Sequence, residues 1–220
     1  SWIAVGYLLA SATIVPVYGR LGDRRGRREV LLVALGVFTL GSLACGLAQS
    51  LPQLVAARVL QGLGGGGLMT LSQALIGELV PPRERARFQG YFALMFTSAS
   101  VTGPVVGGLV VSNASWRWLF LANLPLAAFA AWRLMRLPKG EKHAPAARGA
   151  DLAGHVLFAV GMLCTLFWLT SGGHRFAWGS APSLALLAAG AVGLGLLWRH
   201  ERRHPAPFLP VELLHERTVL

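Results

Sequence analysis

Seven long apolar runs constrain this chain more than any other feature. They fall at roughly 2–19, 30–49, 52–78, 88–112, 118–135, 152–171 and 182–198, and they carry almost no charge. A hydrocarbon core about 30 Å thick takes about 20 residues of helix to cross. Water is absent there, so each backbone N–H and C=O must be satisfied within the segment, as a helix does. The runs therefore predict an all-α, polytopic membrane helix bundle, with the lipid bilayer as its first partner. Charged residues make up 13% of the chain and mean hydropathy is +0.56. A soluble domain is nearer about 25% charged.

The net charge of +11 and pI of about 11.3 could suggest a nucleic-acid partner. The distribution of the charge excludes that reading. If the stretch 20–29 is cytoplasmic, alternation of spans puts 79–87, 136–151 and 199–220 on the same side. Those stretches, with Arg133 at the end of the fifth span, hold 17 of the 20 Lys and Arg. The opposite stretches hold two, Arg117 and Arg175, and Arg58 lies inside a span. Lys and Arg gather on cytoplasmic loops of membrane proteins. The expectation is a multi-pass plasma-membrane or inner-membrane protein, its N-terminal end outside and its C-terminal end cytoplasmic. Trp116, Trp118 and Trp178 sit at outer span boundaries and fit an aromatic belt.

Cys45 and Cys164 lie far apart in apolar runs, without a CxxC or a nearby His, and read as small buried residues. No metal or cofactor is implied. Trp2–Tyr18 has neither a basic flank nor a cleavage site, so it is not read as a signal peptide. Because the chain starts at Ser1 and turns apolar at once, it is expected to be a piece of a longer one.

The stretch Gly19–Arg28 is expected to form a tight loop between the first two spans. It holds five arginines and one acid, Asp23. Gly19 and Gly22, three apart, would let a neighbouring backbone approach. Gly26 can take the positive φ that a reversal needs. Asp23 is otherwise a solvated counter-charge.

Within the third span lie Arg58, Gln61 and Gly62, on one helix face by their spacing. An arginine in a membrane costs about 2.5–3.5 kcal/mol when central. Arg58 is six residues past Pro52, so snorkelling to the interface competes with an inward role. The glycines after Arg58 are not a phosphate loop, since no strand precedes them and no Gly-Lys-Ser/Thr follows. The fourth span carries Gly90, Ala99, Gly103, Pro104, Gly107 and Gly108. Ala99, Gly103 and Gly107 make a small-residue face suited to helix packing. Pro104 removes the backbone bond to Ser100 and should bend the helix.

Residues 136–151 are polar and rich in Pro, Gly and Ala, and read as a linker. The expected division is 1–137 and 138–220. Phe208–Leu214 reads as a short surface helix leading into a further span.

Three of these stretches carry a family resemblance. Gly-x-Leu-Gly-Asp-Arg-x-Gly-Arg-Arg at 19–28 resembles the signature between the second and third helices of the major facilitator superfamily. Leu-x3-Arg-x2-Gln-Gly-x-Gly from Leu54 resembles that family's fourth-helix signature. Gly-x8-Ala-x3-Gly-Pro-x2-Gly-Gly from Gly90 resembles its fifth-helix antiporter signature, with Ala99 where glycine is usual. Ser115–Pro125 and the pair of spans 152–198 resemble the fourteen-helix drug:proton antiporters of the EmrB/QacA type. The resemblance covers essentially all 220 residues. It implies the N-terminal half of a major facilitator fold, helices two to six, in 1–137. Two inserted linker helices and a cytoplasmic tail would follow in 138–220.

The activity so implied is proton-coupled efflux of drugs or small amphipathic metabolites, cationic ones included, by alternating access. Arg58 and Gln61 would serve proton coupling. Gly19, Gly22, Asp23, Arg24, Gly26, Arg27 and Arg28 would form a cytoplasmic gating loop. Gly90, Ala99, Gly103, Pro104, Gly107 and Gly108 would form the antiporter kink. None of the nine acids is mid-span, so the proton-carrying acid is expected in a helix outside this chain. An intramembrane enzyme is not supported: no HExxH and no Gly-x-Ser-x-Gly is present, and no catalytic residue is assigned. A non-transporting sensor or partner subunit with a transporter fold is the alternative.

Overall fold

The computed structural model of the chain describes residues 2–137 and 151–203. Regular structure among these residues is helical: α1 (Trp2–Arg25), α2 (Arg27–Leu47), α3 (Leu51–Leu79), α4 (Pro82–Asn113), α5 (Trp118–Leu121), α6 (Asn123–Met135), α7 (Leu152–Ser171) and α8 (Ala181–Glu201). With α5 and α6 taken together, seven helical segments among the described residues are long and apolar enough to cross a membrane. They coincide with the seven runs read from the sequence. The chain divides into two compact units, 1–144 and 145–220. The expected surface helix at Phe208–Leu214 and most of the linker lie outside the described residues.

The reading of 19–28 as a loop is corrected. Helix α1 continues through Arg25 and α2 begins at Arg27, so Gly26 alone is non-helical. Arginine is a good helix former, and Gly19 and Gly22, at about 1 kcal/mol each against alanine, do not end the helix. Gly26 has φ +98°, a conformation side-chain-bearing residues rarely adopt. Its N–H donates to Gly22 O at 2.9 Å and its carbonyl accepts from Val30 N at 3.2 Å. One helix thus closes and the next opens around a single residue. Arg24 and Arg25 fall in the last turn of α1, where positive charge complements the helix dipole.

In the first unit α3 packs against both α1 and α2. Its glycines make this possible. A Cβ on Gly62 would strike the carbonyl of Tyr7 and one on Gly66 the carbonyl of Ser11, both in α1. On the α2 side, a Cβ on Gly41 would lie 2.5 Å from the backbone of Gln61. Two apolar clusters sit toward opposite ends of these helices. One gathers Tyr18, Val30, Leu31, Ala34, Leu71 and Leu75; the other gathers Cys45, Ala48, Leu54 and Ala57, with Ile3 and Phe120 against it. Cys45 is a free, buried thiol and Cys164 a free, partly buried one.

The turn from α2 to α3 is short because it is capped from within. Ser50 is the N-cap of α3, accepting from Gln53 N at 3.4 Å, and Gln53 Oε1 in turn accepts from Gln49 N at 2.9 Å. Arg117 donates to Ala48 O at 2.9 Å and lies over the Trp116 ring at 4.7 Å, tying the start of α5 to the same end. Helix α4 has no buried residue.

The second unit is a helical hairpin. A Cβ on Gly193 would lie 3.1 Å from Gly161 Cα, so α7 and α8 approach backbone to backbone there. Trp168 Nε1 donates to Ser183 Oγ at 2.8 Å near the hairpin turn. At the open end Asp151 caps α7, accepting from Gly154 N at 2.9 Å, and meets His200 Nε2 of α8 at 2.8 Å.

Candidate functional site

Arg58 lies on α3 within the end of the bundle that holds Ile3 and Phe120. Its Nη1 donates to Gln61 Oε1 at 2.6 Å and its Nε to Ile3 O at 3.3 Å. The guanidinium stands 4.4 Å from the centre of the Tyr7 ring and 5.6 Å from that of Phe120. Three helices, α1, α3 and α5, therefore contribute to its setting. An aromatic face stabilises a desolvated cation by about 2 kcal/mol or more. Among the described residues no carboxylate pairs with Arg58. The positive charge is solvated by neutral dipoles and rings and is not cancelled.

Gln61 is almost fully buried, at 2% exposure. Its Nε2 donates to Ser42 Oγ of α2 at 2.7 Å. Ser42 is itself completely enclosed. The spacing of Arg58 and Gln61 along α3 made their pairing legible in the sequence. Ser42, Tyr7 and Phe120 were missed, because partners on other helices depend on how each helix is rotated. The only local signal was the small pair Gly41-Ser42 inside an apolar span.

At the opposite end, the residues around Gly26 divide between two neighbours. Arg27 Nη1 donates to Ala74 O of α3 at 2.6 Å, its Nη2 meets Asp23 Oδ1 at 3.2 Å, and its Nε stands 3.8 Å from Glu78 Oε2. Asp23 and Glu78 thus flank one guanidinium. Asp23 is largely exposed, so its pairing stabilises by only about 0–1 kcal/mol. Arg28 is buried and reaches α6, donating to Leu134 O at 2.7 Å and Met135 O at 2.6 Å. Those carbonyls belong to the last turn of α6, where Leu134 O also accepts from Leu137 N at 3.1 Å. Gly22 faces Leu71 of α3 closely, at 2.8 Å from a built Cβ, whereas among the described residues nothing lies within 4 Å of one on Gly19. Arg24 lies on the last turn of α1.

The small-residue face of α4 is open. Among the described residues nothing comes within 4 Å of a Cβ built on Gly90, Gly103, Gly107 or Gly108, and Ala99 and Pro104 are exposed. Pro104 lies within a continuous helix. An apolar groove of about 390 Å³ separates α4 from the end of α3, lined by Ile76, Phe88, Tyr91, Phe92, Leu94 and Met95.

Comparison with known proteins places these features in context. The family model described as Major Facilitator Superfamily matches residues 1–205. Multidrug transporter protein MdtP of Bacillus subtilis (strain 168) is 37% identical over 218 residues, covering 99% of this chain and 40% of that protein. Multidrug resistance protein 3 of the same organism is 31% identical over 217 residues, covering 99% of this chain and 42% of that protein. Efflux pump dotC of Dothistroma septosporum is 36% identical over 230 residues, covering 99% of this chain and 38% of that protein. The chain thus spans about two fifths of the length of these relatives.

Proposed function

The chain belongs to the Major Facilitator Superfamily, a family of transporters, and from that premise we propose that it is the N-terminal part of a proton-coupled efflux antiporter. Its cargo would be drugs or small amphipathic metabolites, cationic ones included, exported by alternating access. In this reading the first unit supplies helices two to six of the N-terminal half. The second unit supplies two inserted helices, as in the fourteen-helix EmrB/QacA branch. The ends of α1 and α2 that meet at Gly26 face the cytoplasm. The small-residue face of α4 packs against parts of the transporter outside this chain.

The observation that carries the coupling role is Arg58. A guanidinium that keeps its charge is held in the bundle by Gln61, Ile3 O and the Tyr7 ring, with no carboxylate among its described partners. Such a cation favours the ionised form of any carboxylate brought beside it. A carboxylate on a helix outside this chain, moving toward and away from Arg58 during the cycle, would release and take up a proton. Arg27, with Asp23 and Glu78, would hold the cytoplasmic gate closed in one state of that cycle.

The test is ethidium efflux by the full-length transporter in membrane vesicles under an imposed pH gradient. Arg58→Ala is expected to abolish proton-driven efflux while ethidium binding persists, and Arg58→Lys to recover only part of it, since lysine lacks the planar fork. Wild-type pumping by Arg58→Ala would refute the coupling role.

A further inference from the structure

We propose that Ser42 is a positioning residue for Arg58, acting through the side chain of Gln61; the inference rests on the coupling reading above. A guanidinium can only donate, so the end of the Gln61 amide that faces it must be Oε1. That leaves Nε2, a donor buried on the far side, in need of an acceptor. Ser42 Oγ supplies it at 2.7 Å, while Oε1 receives Arg58 Nη1 at 2.6 Å.

The three residues form one directed chain: Arg58 donates to Gln61, and Gln61 donates to Ser42. Ser42 is completely enclosed and Gln61 nearly so. Water cannot replace either member without displacing packed side chains. The chain also needs α2 and α3 to touch, and the missing side chain at Gly41 brings the α2 backbone against Gln61 itself.

Remove the Ser42 hydroxyl and the amide loses the contact that fixes its direction. The buried Nε2, left without an acceptor, would then draw the amide toward another one, and any such turn carries Oε1 off the guanidinium. Arg58 would keep only Ile3 O, at 3.3 Å, and the aromatic faces. Those hold the cation without fixing its direction. Ser42 touches neither the guanidinium nor the translocated proton. It sets where the charge is held.

The experiment uses the full-length transporter in vesicles, with ethidium efflux measured across a pH series at matched expression. Ser42→Ala is expected to lower the rate several-fold at the wild-type optimum. It should also move the pH midpoint of efflux to the alkaline side, because a loosened cation favours the ionised partner less. The concentration of ethidium giving half-maximal rate should stay unchanged. Ser42→Thr, which keeps the hydroxyl, should restore the midpoint. The double variant Ser42→Ala/Gln61→Leu should behave as Gln61→Leu alone, since Ser42 has no other route to Arg58.

A wild-type midpoint in Ser42→Ala, or additive losses in the double variant, would overturn the inference. If Ser42→Ala does not accumulate in the membrane, Ser42→Cys, whose thiol is a weaker acceptor, should show an intermediate midpoint; a wild-type midpoint there overturns it equally. Failure of the coupling role and failure of the Ser42 role are distinguishable. Normal pumping by Arg58→Ala sinks the coupling reading, whereas a dead Arg58→Ala beside an unaltered Ser42→Ala sinks only the role of Ser42.

Discussion

Gly41→Ala should destabilise the bundle far more than the addition of one methyl group suggests. The new Cβ would lie 2.5 Å from Gln61 N and Cα and 2.8 Å from its Cβ. Favourable carbon contacts lie at about 3.5–4.0 Å. The atoms being struck are backbone, which cannot swing aside as a side-chain tip does. Helix α2 must therefore retreat from α3 by about 1 Å. Such a retreat stretches the Gln61–Ser42 bond from 2.7 Å to about 3.7 Å, beyond hydrogen-bonding range. Overpacking of this kind costs about 1–3 kcal/mol, and the lost interhelical hydrogen bond about 0.6–1.7 kcal/mol. The sum is about 2–5 kcal/mol. The same helix holds its own control. Among the described residues nothing lies within 4 Å of a Cβ built on Gly36, so Gly36→Ala should gain up to about 1 kcal/mol of helix propensity. Thermal unfolding of both variants of the full-length transporter in detergent, followed by size-exclusion chromatography, measures the difference. Equal unfolding temperatures would refute the close approach of α2 to α3 at Gly41.

Four further outcomes are expected. Asp23→Asn should lower efflux with the protein inserting normally, whereas Arg28→Ala should lower thermal stability by about 1–3 kcal/mol through the loss of two hydrogen bonds to α6 carbonyls; efflux assays and unfolding curves on both variants separate the two effects. Gly107→Leu should cut ethidium resistance at matched expression, because a bulky side chain cannot occupy a packed small-residue face; an unaltered variant would place that face against lipid. With Cys45 and Cys164 replaced, a cysteine at position 25 should resist an impermeant thiol reagent in intact cells and react in inside-out vesicles, and the reverse pattern would invert the topology.

The spans were legible because hydropathy is a property of each residue's own chemistry and needs no partner. The pairing of Arg58 with Gln61 was legible for a related reason: residues three apart on a helix are neighbours by construction. The stretch 19–28 was misread where local rules conflict. Its charge and glycines suggest a loop, yet arginine favours helix, and only the positive φ of Gly26 ends α1. Ser42 could not be found from the sequence, since its role depends on the rotation of α2 about its axis. The two partners of the arginine pair were hidden similarly. Adjacent residues on α2 point about 100° apart, which sends Arg27 to α3 and Arg28 to α6.

The single-residue break at Gly26 also acts as a phase lock between α1 and α2. A longer connection would absorb one added or deleted residue as slack. Here an insertion has nowhere to go except into the start of α2, and it turns that helix by about 100° relative to α1. Such a turn would swing Arg28 off the α6 carbonyls and Gly41 and Ser42 away from Gln61 together, although these sites lie at opposite ends of the helix. The chain can therefore vary in composition around Gly26, but its length there is as strictly determined as the residues that line the Arg58 site.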